Sequence, residues 1–233
     1  VKPGGNNGRR KGNEAYVKNG RKHGIEAFNQ APEEKRQRVR RAVMAEFAEH
    51  GFANASTNRI ACNAAIGKGM IFHYFGSKEG LFLYFFKDAL EQYNHYYEQW
   101  VENLPGELFS RALAWAEKKF EFYGKHPLVA DFLVHSYLKS TGEVRRKLEE
   151  IHKADYRRKM QDFIRGIDTR YLREGIDTEK ALEVFFAVLE QMEQALIDRY
   201  YRPDKAFPLD ELKTEMKQYL DILEYGLYTR TDV

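Results

Sequence analysis

The chain has 233 residues, 43% of them apolar, with 38 Lys and Arg against 35 Asp and Glu. That is enough apolar material to fill one small and one medium core. The longest apolar run, Leu81 to Phe86, is far shorter than the about 20 residues that span a bilayer. No apolar signal-peptide core is visible, and the single cysteine, Cys62, precludes an internal disulfide. Together these suit a cytoplasmic location. Charge is unevenly divided: residues 1–80 carry 15 Lys and Arg against 7 Asp and Glu, while residues 81–233 carry 23 against 28. A basic head on a mildly acidic body is the distribution expected of a protein that grips phosphates at one end.

Residues 1–30 are rich in Gly and Asn, show no helical period, and hold 7 basic against 2 acidic side chains. They are expected to be disordered. Arg9, Arg10, Lys11, Arg21 and Lys22 could form a minor-groove arm or simply add electrostatic affinity. The segment Pro32 to His50 reads as a helix, with Glu33 and Glu34 in its first turn and Gly51 at its C-terminal cap. Val39, Ala42, Val43 and Phe47 form its apolar stripe, and Lys35, Arg36, Arg38, Arg40 and Arg41 crowd its start.

Residues 51–81 read as two short helices joined by a tight turn. Ser56 is a good N-cap for the first. A helical wheel turns Thr57, Ile60, Ala61 and Ala64 inward and Asn58, Arg59, Cys62 and Asn63 outward. In the second, Lys68 to Phe75, it places Ile71, Phe72 and Phe75 inward and Met70, His73 and Tyr74 outward. Ser77 then caps a third helix, with Glu79 set against its N-terminal dipole. This is the spacing of a DNA-reading helix-turn-helix.

The residues Gly51-Phe52, Ser56-Thr57, Ile60-Ala61, Ile66-Gly67-Lys68-Gly69, Ile71-Phe72-His73-Tyr74-Phe75, Ser77-Lys78 and Leu81 resemble the tetracycline-repressor (TetR) family of bacterial transcription regulators. The match covers roughly residues 33 to 85. It departs at Ala65, where the family has Gly in the turn, and at Gly67, where a hydroxyl is usual. The resemblance implies that Ser56, Thr57, Lys68, Tyr74 and Lys78 hold phosphates, which fix register without reading sequence. Gly69 would let backbone and duplex approach, Met70 could meet a thymine methyl, and His73 a phosphate or base edge. The second helix lacks Arg, Asn and Gln, so base choice is expected to lean on Asn58, Arg59 and Asn63.

Beyond residue 80 everything reads helical: Leu81 to Val101, Leu108 to Tyr123, Pro127 to Lys139, Glu143 to Ile167, Thr178 to Tyr201 behind the N-cap Asp177, and Leu209 to Tyr225. Strand signals are absent. The expected architecture is all-α with about nine helices: an extension over 1–30, a helix-turn-helix domain over 31–80 and an effector-binding and dimerisation body over 81–233.

The last two helices have apolar arcs too wide for one partner, and in the family they form the dimer's four-helix bundle. Phe186, Leu189, Met192, Leu196, Met216, Leu220 and Leu223 are the expected interface. In the family the middle helices enclose an effector pocket. Trp115, Phe120, Tyr123, Phe132, Tyr137, Phe163 and Phe185 are its candidates here, and Lys118, Arg145 or Arg165 could pair with an acidic effector. No P-loop, dinucleotide fingerprint, G-x-S-x-G elbow or HExxH motif is present, and the seven histidines are scattered. The reading is therefore not an enzyme, with no metal and no cofactor. It is a homodimeric, ligand-responsive repressor that binds a palindromic operator on double-stranded DNA and is released by a small hydrophobic effector, with no membrane partner. A helical lipid or small-molecule carrier and a ligand-free nucleoid-associated DNA binder are the alternatives.

Overall fold

A computed structural model describes residues 23–200 and 208–227. Among them the chain forms ten α-helices and two short 3-10 turns. Residues 23–29 make α1. Then follow α2 (Glu33–Asn54), α3 (Thr57–Asn63), α4 (Lys68–Phe75), α5 (Lys78–Glu98), α6 (Leu108–Lys125), α7 (Pro127–Leu138), α8 (Gly142–Arg165), α9 (Thr178–Tyr200) and α10 (Leu209–Leu227). The expected helices are all present, with ends moved by a few residues. The expected disorder of residues 1–30 fails at its C-terminal end, since 23–29 are helical and Phe28 is buried. The proposed arm residues Arg9, Arg10, Lys11, Arg21 and Lys22 lie outside the described residues.

Two compact units divide the chain, and neither ends at residue 80. The first runs to Leu90 and takes in residues 131–149; the second holds residues 91–130 and 150–233. The expected boundary is displaced because the start of α5 belongs to the head's own core. Phe82 lies 4.8 Å from Phe47 and 5.7 Å from Phe132, ring to ring. Phe85 and Phe75 pack at 5.6 Å.

In the first unit α2 packs on α3, and α3 on α4. Gly51 ends the regular part of α2 at φ 67°, which a Cβ would disfavour. Lys139, just past α7, covers that end, donating to the carbonyls of Ala48 at 2.9 Å and Glu49 at 3.1 Å. A cation is well placed where carbonyls point out of the end of a regular helix. Gly24 allows a second close approach: a Cβ there would overlap the carbonyl oxygens of His73 and Tyr74 at the end of α4.

The turn between α3 and α4 holds Ala65 at φ 52°, the single described non-glycine residue in the left-handed region. Steric overlap of Cβ with the following carbonyl costs about 1–2 kcal/mol there. Ala65 is exposed, so its methyl contributes little packing in return. Ala65→Gly is therefore expected to stabilise the protein by up to about 1 kcal/mol. Urea unfolding monitored by circular dichroism should show a higher midpoint with an unchanged slope; a lower midpoint would mean the methyl packs usefully.

In the second unit α10 packs on α6 and α9. Glu107 caps α6, accepting the amides of Phe109 at 2.9 Å and Ser110 at 2.7 Å. Arg111, only 4% exposed, reaches across to the end of α8. Its guanidinium donates to Phe163 O (2.8 Å), Asp162 O (3.2 Å), Pro105 O (2.8 Å) and Leu104 O (3.1 Å). A buried cation is thus satisfied by carbonyl dipoles and closes the C-terminal turn of α8.

Candidate nucleic-acid interface and effector body

Ser56 starts α3 as expected, its Oγ accepting the Arg59 amide at 3.4 Å. Ile60 and Ala61 are buried, while Asn58, Arg59, Cys62 and Asn63 are exposed. Thr57 is half-buried.

On α4 the wheel is right for Ile71 and Phe75, which are buried, and reversed for its other two aromatics. Tyr74 is 5% exposed and Phe72 is 41% exposed. Positions 71, 74 and 75 follow the i, i+3, i+4 spacing of one helical stripe, and Phe72 falls outside it. Burial of Tyr74 is completed by α1. Its ring lies 5.5 Å from Phe28, and its hydroxyl accepts a bond from Lys35 Nζ at 2.9 Å. The exposed ridge of α4 is Lys68, Gly69, Phe72 and His73, with Met70 half-buried beside it. Added Cβ atoms at Gly67 and Gly69 would meet nothing within 4 Å, so this edge is open.

Besides Tyr74, two more expected DNA contacts, Arg59 and Lys78, are engaged inside the protein. Arg59 directs Nε to both carboxylate oxygens of Glu46 (2.9 and 3.0 Å), and Nη2 donates to Glu46 and to Asn54 O. Glu46 is 5% exposed and also accepts the Ser56 amide at 2.7 Å. Burial disfavours its charge, yet Arg59 and the Ser56 N–H outweigh it and hold the carboxyl below its ordinary range. Lys78 donates to Ala53 O at 3.0 Å and lies over the Phe52 ring; burial lowers its pKa. The basic rim of α2 is likewise largely neutralised. Arg36 pairs with Glu33, Arg38 with Glu34 and Arg40 with Asp88.

The pocket candidates divide between the two units. Phe132 and Tyr137 belong to the first unit, where Phe132 packs on Phe47, Phe82 and Phe86. The other five, Trp115, Phe120, Tyr123, Phe163 and Phe185, lie in the second unit. Trp115 contacts Tyr97, Trp100 and Phe163 at 5.1, 5.7 and 5.3 Å, and Phe185 contacts Phe109 at 5.4 Å. Lys118, Arg145 and Arg165 pair with Glu121, Glu149 and Asp162 on their own helices. The buried cations of the body are Arg111 and Lys159, which periodicity did not single out. An open groove of about 710 Å³ lies between α9 and α10, edged by Arg199, Glu215, Tyr219 and Ile222. None of the seven pocket candidates lines it.

Four of the seven expected interface residues are already consumed by their own subunit. Met192, Leu196, Met216 and Leu220 are no more than 5% exposed, whereas Phe186, Leu189 and Leu223 are half-buried. Among the described residues, the large apolar groups exposed on α9 and α10 are Val184, Ile222 and Tyr225.

A helix-turn-helix head with one exposed recognition ridge, beside a helical body, defines a DNA-binding transcription regulator. Comparison with known proteins agrees. Residues 40–85 match "Bacterial regulatory proteins, tetR family", and residues 107–228 match "Tetracyclin repressor-like, C-terminal domain". The chain belongs to the TetR family. It is 23% identical to the fatty acid metabolism regulator protein of Bacillus subtilis, over 81% of this chain and 93% of that one. Among solved structures, a TetR family regulator from Chloroflexus aurantiacus matches with a TM-score of 0.64 and 25% identity, over 88% of this chain and 98% of that one. The Bacillus subtilis regulator FadR, in complex with stearoyl-CoA, matches with a TM-score of 0.60 and 21% identity, over 82% and 99%. These relatives are regulators of transcription, not enzymes. Among the described residues no helix is long and apolar enough to cross a membrane, and no group of side chains is arranged to hold a metal ion.

Proposed function

We propose that this protein is a homodimeric repressor that lays α4 in the major groove of each half of a palindromic operator and is released by a long-chain acyl effector. The open ridge of α4 carries the proposal. Lys68 holds a phosphate, Gly69 admits the backbone to the duplex, and Met70 and His73 reach base edges or phosphate. Phe72 joins them, because its exposed ring can meet thymine methyls, an apolar contact available only in the major groove. Ser56, Thr57 and Asn58 approach the phosphates flanking that groove, and Asn63 stays free to join them. Arg59, Tyr74 and Lys78 act one step back, setting the angle of α3 and α4 through Glu46, α1 and the end of α2.

The second copy docks on the outward side of α9 and α10, where Val184, Ile222 and Tyr225 are exposed and Phe186, Leu189 and Leu223 are partly so. A two-fold dimer requires half-sites about one helical turn apart. The acyl effector is suggested by the similarity to a fatty acid metabolism regulator and by the aromatic content of the body. Its action needs differential affinity: a ligand shifts operator occupancy only as far as it prefers the released conformer. The test is fluorescence anisotropy on a selected operator with oleate or oleoyl-CoA added. Release at submicellar ligand supports the reading, and unchanged anisotropy with both would remove the acyl effector.

Gly69 offers a separation of folding from function. Gly69→Val adds a Cβ and two methyls on the open side of α4. Operator affinity should fall by at least about tenfold, which is 1.4 kcal/mol. Thermal stability should hold or rise, since glycine within a helix costs about 0.5–1 kcal/mol relative to alanine. Unchanged affinity would place the duplex elsewhere.

A further inference from the structure

One polar cluster in the second unit serves neither DNA contact nor ordinary surface solvation. Lys159 on α8 is 6% exposed, with its ammonium 4.1 Å from the centre of the Tyr93 ring and 5.5 Å from that of Tyr97. Its carboxylate partner is Asp155, one turn back, at 2.6 Å. Asp155 has two further donors: Asn94 Nδ2 reaches it at 2.9 Å and Arg158 at 3.5 Å. Lys159 can therefore turn away and leave Asp155 compensated. Lys119 and Arg158 both repel the Lys159 charge, and Asp155 attracts it. Burial, the largest influence, holds the ammonium down at about 8.

Two buried polar atoms beside this cluster have no hydrogen-bond partner. They are Asn94 Oδ1, on the amide that holds Asp155, and Trp100 Nε1, on a ring packed 5.0 Å from Tyr97. Trp100 is 8% exposed. Orphaned buried donors and acceptors are rare in folded proteins, and a bound molecule is one of the ordinary explanations. A buried ammonium, an unpaired indole N–H and three aromatic faces make a receptor for an anion carried on an apolar body.

We propose that Lys159 and Trp100 Nε1 bind the carboxylate of an apolar effector, which displaces Asp155 from Lys159. This rests on the acyl-effector reading above and specifies the end of the ligand that is recognised. When the carboxylate takes Lys159, the Asn94 bond to Asp155 is left to carry this link between α8 and α5, and α5 is the helix that Ser77 caps directly after the recognition helix.

The chain's two tryptophans, Trp100 and Trp115, both contact Tyr97 and supply an intrinsic signal that needs no DNA. Full-length protein is titrated with oleate and with methyl oleate, both submicellar, following tryptophan emission. Oleate should bind at least tenfold more tightly than its ester. Lys159→Met should remove that preference while leaving the ester's affinity unchanged, and Lys159→Arg should retain it. Asp155→Asn, which frees the ammonium without removing it, should tighten oleate several-fold and keeps the test alive if Lys159→Met misfolds. Equal binding of acid and ester, a preference that survives Lys159→Met, or no tightening in Asp155→Asn would overturn the proposal. Tighter binding of oleoyl-CoA than of oleate would also overturn it, by moving recognition to the nucleotide. None of these results bears on whether α4 reads an operator.

Discussion

Arg59→Ala is expected to destabilise the head measurably and to weaken binding to every DNA sequence alike. The substitution leaves the Glu46 carboxylate buried at 5% exposure, with the Ser56 amide at 2.7 Å and His50 Nε2 at 3.8 Å as its remaining partners. Removing the guanidinium is costly because the remaining charge sits in a poorly solvating site. The reverse change is milder. Glu46→Gln frees Arg59, whose side chain is half exposed and can turn to water, so a loss of about 1.5–3 kcal/mol is expected. A Glu46→Leu, Arg59→Met double variant should recover much of the loss, since apolar replacement of both partners is often near neutral. Chemical unfolding of this double variant, its matched singles Glu46→Leu and Arg59→Met, and the wild type gives the coupling directly. If Arg59→Ala instead kept wild-type stability and relaxed preference at a single base pair, the side chain would be a base reader after all. The pair also has a pH signature. The Glu46 carboxyl titrates below its ordinary range in the fold, so its contribution is complete at neutral pH. It is lost as pH falls through that depressed value.

Arg111→Met should have a larger effect in the body, about 3–5 kcal/mol, because this cation is buried on every side. The cation is not paired with a carboxylate. It is held by four main-chain oxygens from residues 104, 105, 162 and 163, and its guanidinium lies 5.3 Å from the centre of the Phe163 ring. Methionine matches the stem but leaves those carbonyls unpaired, two of them in the last turn of α8. Burial already lowers the guanidinium pKa, which marks how far it has been taken from water. Lysine offers a single ammonium where a planar fork spans four acceptors, so Arg111→Lys should recover under half the loss. Gly166 supports this geometry, since a Cβ there would overlap the guanidinium. Hydrogen exchange should show early opening at the α8 C-terminus in Arg111→Met with the head's protection unchanged. Uniform loss of protection would indicate that the two units unfold together.

The fold was legible because its signals are local. Ser56, Ser77 and Asp177 cap where side-chain oxygens can accept first-turn amides, and each does so. The 3.6-residue period located every long helix. What failed required knowledge of a distant partner. Tyr74 and Phe72 were exchanged because the wheel could not see α1, and α1 was hidden because Gly24 and Asn29 read as loop. In the fold Gly24 is where backbone meets backbone, and Asn29 accepts the Tyr84 hydroxyl at 2.6 Å. Arg59 was read as a base contact because its face is polar, although Glu46, thirteen residues earlier, lies opposite it. The same limit applied to Met192, Leu196, Met216 and Leu220, whose apolar stripe is equally compatible with the home core and a second subunit. Lys159 and Arg111 carry no signal in the sequence, because charged residues on amphipathic helices are usually solvated.

The most direct measurement is selection of genomic fragments by the purified full-length protein at near-physiological salt, followed by repetition with Gly69→Val. The account predicts enrichment of a palindrome with half-sites about one turn apart, rich in thymine where Phe72 and Met70 reach, and its loss in the variant. Salt-sensitive binding with no enriched motif, retained by Gly69→Val, would contradict it and leave a protein that only grips phosphates.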